Sequence, residues 1–131
     1  PLLFRLGGEI ENITFRNIKN HFNDKNGVAF QLGGFYDAES TKEYIPCKIG
    51  SLVIDGAYCT GADGNKQIFI ENKTDIENLI LHNISAEGDV VKMRDSSSIK
   101  NALISNVITG GSVFDSGKNV ENAALNGIIS K

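Results

Sequence analysis

The chain has no tryptophan, two prolines and two cysteines in 131 residues. Cys47 and Cys59 are too few for a disulfide framework, and with only His21 and His82 in support they build no metal cluster. Both are expected to be free thiols. There is no block of Lys or Arg, and a formal charge of -3 with a pI near 5.3 gives no nucleic-acid footprint. DNA and RNA are therefore set aside as partners. No apolar run approaches the roughly 20 residues that span a bilayer, and no charged-then-apolar leader opens the chain, so membrane insertion is not expected. The first residue is Pro1 rather than Met, and a strand-like pattern begins at once. The chain is therefore expected to be a fragment or processed product of a longer one, so that an export signal would lie outside it.

What is present points one way. An apolar content of 40% argues against disorder, and the length suits a single domain (1–131) with one core. Asn, Ile and Gly are abundant, a mixture suited to many short strands joined by turns that need left-handed backbone conformations.

One nine-residue phrase recurs. Aligned on a leading aliphatic residue, the copies are IENITFRNI from Ile10, IGSLVIDGA from Ile49, IENLILHNI from Ile76, IKNALISNV from Ile99 and VENAALNGI from Val120, with spacers that shrink along the chain. Position four (Ile13, Leu52, Leu79, Ala102, Ala123) and position six (Phe15, Ile54, Leu81, Ile104, Leu125) are apolar and two apart, as in a strand facing a core. Position eight holds only Asn or Gly (Asn17, Gly56, Asn83, Asn106, Gly127), the residues that enter the left-handed region most readily. The chain should turn there in every copy, and position nine (Ile18, Ala57, Ile84, Val107, Ile128) should restart an inward strand. Position three (Asn12, Ser51, Asn78, Asn101, Asn122) is a second polar column, whose amides are placed to hydrogen-bond along a stack.

A further strand precedes each copy: LLFRLGG, VAFQLGG, QIFIEN, VVKMRDS and SVFDSG, with Leu6, Leu32, Ile70, Met93 and Phe114 inward. Each repeat thus amounts to one coil of a solenoid. A leucine-rich repeat is the structural rival, but its Asn falls three residues after the last strand aliphatic rather than two, and no helical period follows here.

The pattern apolar-x-apolar-x-Asn-apolar, in NITFRNI and NLILHNI, resembles the second strand, Asn turn and third strand of right-handed parallel β-helices of the pectate-lyase-like superfamily. The resemblance runs from Leu2 to Ile129. It implies an all-β solenoid of about five coils, stacked about 4.8 Å apart so that like residues meet at like places. The superfamily contains polysaccharide lyases, polygalacturonase-type hydrolases and phage tailspikes that bind or cut surface glycans. A polysaccharide partner, an extracellular or virion-surface setting and a bacterial or viral source follow as expectations. The sequons at Asn12, Asn72 and Asn83 agree with that source, because two of them fall in turn and ladder columns with no room for a glycan.

In the resembled family the first sheet and its flanking loops form the glycan groove. Its outward column here is Arg5, Gln31, Phe69, Lys92 and Val113, beside Gly7, Gly33, Glu71, Arg94 and Asp115. Phe69 offers a flat platform for a sugar face, and Lys92, Arg94, Glu71 and Asp115 offer charged groups for hydroxyls or carboxylates. The plain alternative is a mixed-charge surface that keeps the strand soluble and blocks edge pairing.

For catalysis, Glu71 and Asp115 two coils apart are roughly 9.6 Å from one another at about 4.8 Å per coil, an inverting separation, with Asp95 near enough to join either. The hydrolases' Asn-Thr-Asp, Asp-Asp, Gly-His-Gly and Arg-Ile-Lys motifs are missing, and KTD at 73–75 is a partial echo. A lyase reading makes Arg94 the base with Glu71 and Asp115 as acidic ligands, and then calls for calcium.

An insertion at 33–48 carries Phe35, Tyr36, Asp37, Glu39, Glu43 and Tyr44, the composition of a glycan-contacting loop or of a plain surface elaboration. GADGN at 61–65 reads as a turn, with one carboxylate being too few for a cation. Position five, outward on the second strand (Thr14, Val53, Ile80, Leu103, Ala124), forms a continuous, mostly aliphatic stripe and so a face covered either by the missing parts of the chain or by another subunit. Tailspikes resembling this fold are trimers packed along their helices, so a homotrimer is expected, and the absence of a cap after VENAALNGIISK agrees. Three functions stay open: a glycan-binding segment, a lyase or hydrolase, and a structural stalk.

Overall fold

A computed structural model describes residues 2–4, 8–23, 27–33, 46–61, 66–115 and 119–131. Arg5, Leu6, Tyr36, Tyr44 and most of the 33–48 and 61–65 segments, for which the sequence raises expectations, lie outside these residues. The described chain is all-β, with every pairing parallel. No helix among the described residues is long and apolar enough to cross a membrane.

Nine strands run in chain order as β1 (Leu2–Phe4), β2 (Gly8–Phe22), β3 (Val28–Leu32), β4 (Cys47–Gly61), β5 (Lys66–Ile70), β6 (Thr74–Ala86), β7 (Val91–Met93), β8 (Ser98–Thr109) and β9 (Val120–Ser130). The short strands form one sheet in the order β1-β3-β5-β7, and the long ones form a second in the order β2-β4-β6-β8-β9. From β1 to β8 the chain passes alternately from the short-strand sheet to the long-strand sheet, and β9 adds a fifth long strand. A lone bridge, Val91 to Phe114, extends the short-strand sheet by one rung.

The long-strand sheet has the register of the sequence repeat. Ile10, Ile49, Ile76, Ile99 and Val120 stand in one column, and the third, fourth, fifth and sixth positions follow rung by rung. At the eighth position φ is 56° at Asn17, 81° at Gly56, 58° at Asn83, 53° at Asn106 and 66° at Gly127. Each long strand therefore bends through the left-handed region there, which only Gly and Asn enter cheaply. The ninth position then points inward: Ala57, Ile84 and Val107 are buried.

The third-position ladder is made as expected. Asn78 Nδ2 donates to Ser51 Oγ (3.5 Å), Asn101 Nδ2 to Asn78 Oδ1 (3.1 Å) and Asn122 Nδ2 to Asn101 Oδ1 (3.1 Å). At the bend, Asn83 Nδ2 donates to Asp55 Oδ1 (3.1 Å) and Asn106 Nδ2 to Asn83 Oδ1 (3.4 Å).

A single core lies between the sheets. Phe30, Leu32, Ile68, Ile70, Val91 and Met93 from the short strands meet Leu52, Ile54, Leu79, Leu81, Ala102 and Ile104 from the long ones. Burial fades at the two ends. Ile13, Phe15 and Ile18 on β2 are half-buried, Ala123 on β9 is exposed, and Leu125, in the same column as the fully buried Ile54, is 49% exposed. Both cysteines are free and buried.

The short-strand register corrects the sequence alignment at both ends. Phe4, not Leu6, stands opposite Leu32, so Leu3 rather than Arg5 continues the column of Gln31. Phe114 stands opposite Val91 rather than Met93. Each error is a slip of two residues, which keeps every side chain on its expected face and so leaves no trace in the apolar pattern.

Candidate functional site

The outward side of the short-strand sheet brings four of the expected residues together. Gln31, Phe69 and Lys92 form one column. Just past the strand ends, the Glu71 amide donates to the Leu32 carbonyl (3.1 Å) and the Arg94 amide to the Ile70 carbonyl (2.9 Å), so Glu71 and Arg94 sit one rung apart.

The corner beyond β5 fixes Glu71. Ser97 Oγ donates to the Glu71 carbonyl oxygen, and the Thr74 amide donates back to Ser97 Oγ (3.0 Å). Gly33 has φ 64°, and a Cβ there would fall 2.1 Å from Thr74 Oγ1, so backbone conformation and space both require glycine.

The side chains then interlock. Gln31 Nε2 donates to Glu71 Oε1 at 2.9 Å, and Arg94 Nε lies 3.8 Å from Glu71 Oε2. Glu71 is mostly buried, with 13% of its side chain exposed, whereas Arg94 is 53% exposed. The Arg94 guanidinium carbon sits 5.1 Å from the centroid of the Phe69 ring, in cation–π contact. Glu71 faces the Nε edge, and Phe69 supports the guanidinium plane. An arginine held along one edge and one face keeps its outer N–H groups in a fixed fork, the geometry that meets a carboxylate or sulfate bidentately.

This arrangement alters two expectations. Phe69 is half-buried and Arg94 stands over it, so the ring serves first as a support for the cation rather than as a bare platform for a sugar. Asp115 belongs to the column of Lys92, not that of Arg94, because its amide donates to the Val91 carbonyl (3.1 Å). Its Oδ1 accepts the Met93 amide at 3.2 Å. The vertical pairing of Glu71 with Asp115 in one column, from which the inverting separation was taken, is thus replaced by a diagonal one.

Asp95 is carried round the corner. It lines an open groove of about 1020 Å³ along the first residues of the long strands, with Glu9, Glu11, Lys48, Asp75, Glu77 and Lys100 among its neighbours. Ser98 Oγ donates to Asp75 Oδ1 (2.7 Å) there, and Lys100 Nζ lies 4.0 Å from Glu77 Oε1, an exposed pair of little energetic weight. No group of three or more His, Cys, Asp or Glu among the described residues is arranged to hold a metal ion.

The long-strand stripe forms a shallow apolar trough lined by Val53, Ile80, Leu103 and Ala124, with Leu103 54% exposed. His82 beside it hydrogen-bonds Ser105 Oγ through Nδ1 at 2.6 Å.

The sequence places Gln31, Phe69, Glu71 and Arg94 on this face but does not pair Gln31 with Glu71 or Arg94 with Phe69. Those contacts depend on side-chain rotamers across adjacent rungs, which no residue pattern specifies. Comparison with protein-family models, curated proteins and solved structures finds no match for this chain.

Proposed function

We propose that the chain is a right-handed parallel β-helix segment and that the outward face of its short-strand sheet binds an acidic polysaccharide. The parallel sheets, the matched columns and the left-handed bend in every long strand support the solenoid. The strong preference of parallel crossovers for one hand supports its handedness. The observation that carries the binding reading is Arg94, placed between Glu71 and Phe69 with 53% of its side chain exposed. Lys92, on the rung beside Phe69, adds a second cation for a neighbouring anionic group. Recurring sugar carboxylates or sulfates along a chain suit cations that recur along a stack.

Binding is favoured over turnover because one oxygen of each carboxylate proposed as acid and base already accepts a hydrogen bond: Glu71 Oε1 from Gln31 and Asp115 Oδ1 from a backbone amide. In this reading the segment belongs to a surface or tailspike-like protein of bacterial or viral origin. It packs as a homotrimer through the aliphatic stripe of Val53, Ile80 and Leu103.

The test is affinity electrophoresis against polyuronate, sulfated and neutral glucan gels. Retardation in the charged gels alone, weakened about ten- to a hundredfold by Arg94→Ala, is expected, because one charge-assisted bidentate contact is worth roughly 1.5–3 kcal/mol. Equal mobility in every gel would end the proposal, and shortening of the polymer would move the reading to a lyase or hydrolase.

A further inference from the structure

The charges on the short-strand face come in an order. Read along one column from β3, Gln31 is followed by Phe69, Lys92 and Asp115. The Arg94 guanidinium lies over the Phe69 ring, so the column presents an amide, two successive cations and then a carboxylate. Among the described residues of this face, Lys92 and Arg94 are balanced by Glu71 and Asp115. A balanced face with a cationic centre offers no extended positive field for a long polyanion.

Asp115 is fixed where it stands. Its Oδ1 accepts the Met93 amide at 3.2 Å, on the strand that carries Lys92. Rungs about 4.8 Å apart roughly match the length of one sugar residue, so an acidic sugar seated on Lys92 brings its neighbour to Asp115. An acid there meets a like charge, whereas a neutral sugar brings hydroxyls that donate to the carboxylate. At the other end of the column Gln31 carries no charge, and its Nε2 is already given to Glu71. The sideways route is closed as well. Beyond Arg94 the chain turns at Asp95 into the groove, in whose lining carboxylates outnumber lysines six to two.

We infer that the glycan taken by this face carries its acidic residues singly or in pairs, flanked by neutral ones, and that Asp115 is the residue that sets this choice. The choice rests on the face being an acidic-glycan site and narrows it: mixed glycans bind well and unbroken polyuronates more weakly. Selection comes from a placed repulsion as much as from the two cations.

The test is calorimetric titration of the chain, at low ionic strength where repulsion is least screened, with two oligosaccharides of equal length. One is a hexauronate, and the other a diuronate flanked on each side by two neutral residues. The flanked ligand is expected to bind about tenfold tighter, the effect of one like-charge contact at a protein surface. Asp115→Asn keeps an oxygen for the Met93 amide and removes the charge, so it should strengthen hexauronate binding and close most of that gap. A hexauronate that binds as well as the flanked ligand, or a gap that Asp115→Asn leaves intact, would overturn the inference while leaving the acidic-glycan face in place. Failure of both ligands to bind would remove that face, and this inference with it.

Discussion

At the residue scale, the fold rests on a few positions where one atom decides the outcome. Asn83 combines a φ of 58° with two side-chain bonds, to Asp55 and from Asn106. Asn83→Gly keeps the left-handed backbone and loses the bonds, whereas Asn83→Ala loses both. The alanine variant should therefore be the less stable by about 1 kcal/mol in urea melts. Cys59 gives a pH signature. Burial, with Glu87 adding to it, pushes its thiol up to about 12 from an ordinary value of 9.0. Between those values the unfolded chain has released the proton and the native one has kept it. Stability from this group is thus complete below pH 9 and declines with rising pH at about 1.4 kcal/mol per unit until the native thiol ionises. Cys59→Ala should flatten the alkaline limb of a stability–pH curve, and native Cys59 should resist thiol reagents that modify the unfolded chain at once.

At the element scale, the long strands were legible and the short ones only in part. A long strand carries five constraints in nine residues: aliphatics at positions one, four, six and nine, and Asn or Gly at eight. One alignment satisfies them all, as with Ile76, Leu79, Leu81, Asn83 and Ile84 on β6. A short strand such as β3 or β7 has two inward residues and tolerates a slip of two, which is how Leu6 was set in place of Phe4 and Asp115 was set beside Arg94. The repeated LGG in LLFRLGG and VAFQLGG strengthened the wrong register, since the sequence match falls two residues from the pairing. The site inherited that limit: its members were readable, and its diagonal contacts were not. Position along the stack also sets what a core residue contributes. Leu79→Ala on the central β6, fully buried, should cost about 2–5 kcal/mol. Leu125→Ala on β9, half exposed, should cost about 1 kcal/mol or less, with calorimetry separating the two.

At the scale of the whole molecule, each long strand touches only its neighbours in the stack, so columns repeat and differences accumulate on the outward faces. Three such faces have distinct chemistry: the short-strand face with Arg94 and Lys92, the carboxylate-rich groove with Asp75 and Glu77, and the aliphatic stripe with Ile80 and Leu103. The scaffold explains why the columns repeat, and only departures from the repeat, such as Arg94 over Phe69, point to a ligand. The most direct test of the central claim is backbone amide NMR of the chain titrated with a short acidic oligosaccharide. The account predicts shifts confined to Gln31, Phe69, Glu71, Lys92, Arg94 and their immediate neighbours, saturating with one affinity and absent with a neutral oligosaccharide of equal length. Shifts centred instead on the groove at Asp75 and Ser98, or no shifts at any concentration, would contradict it.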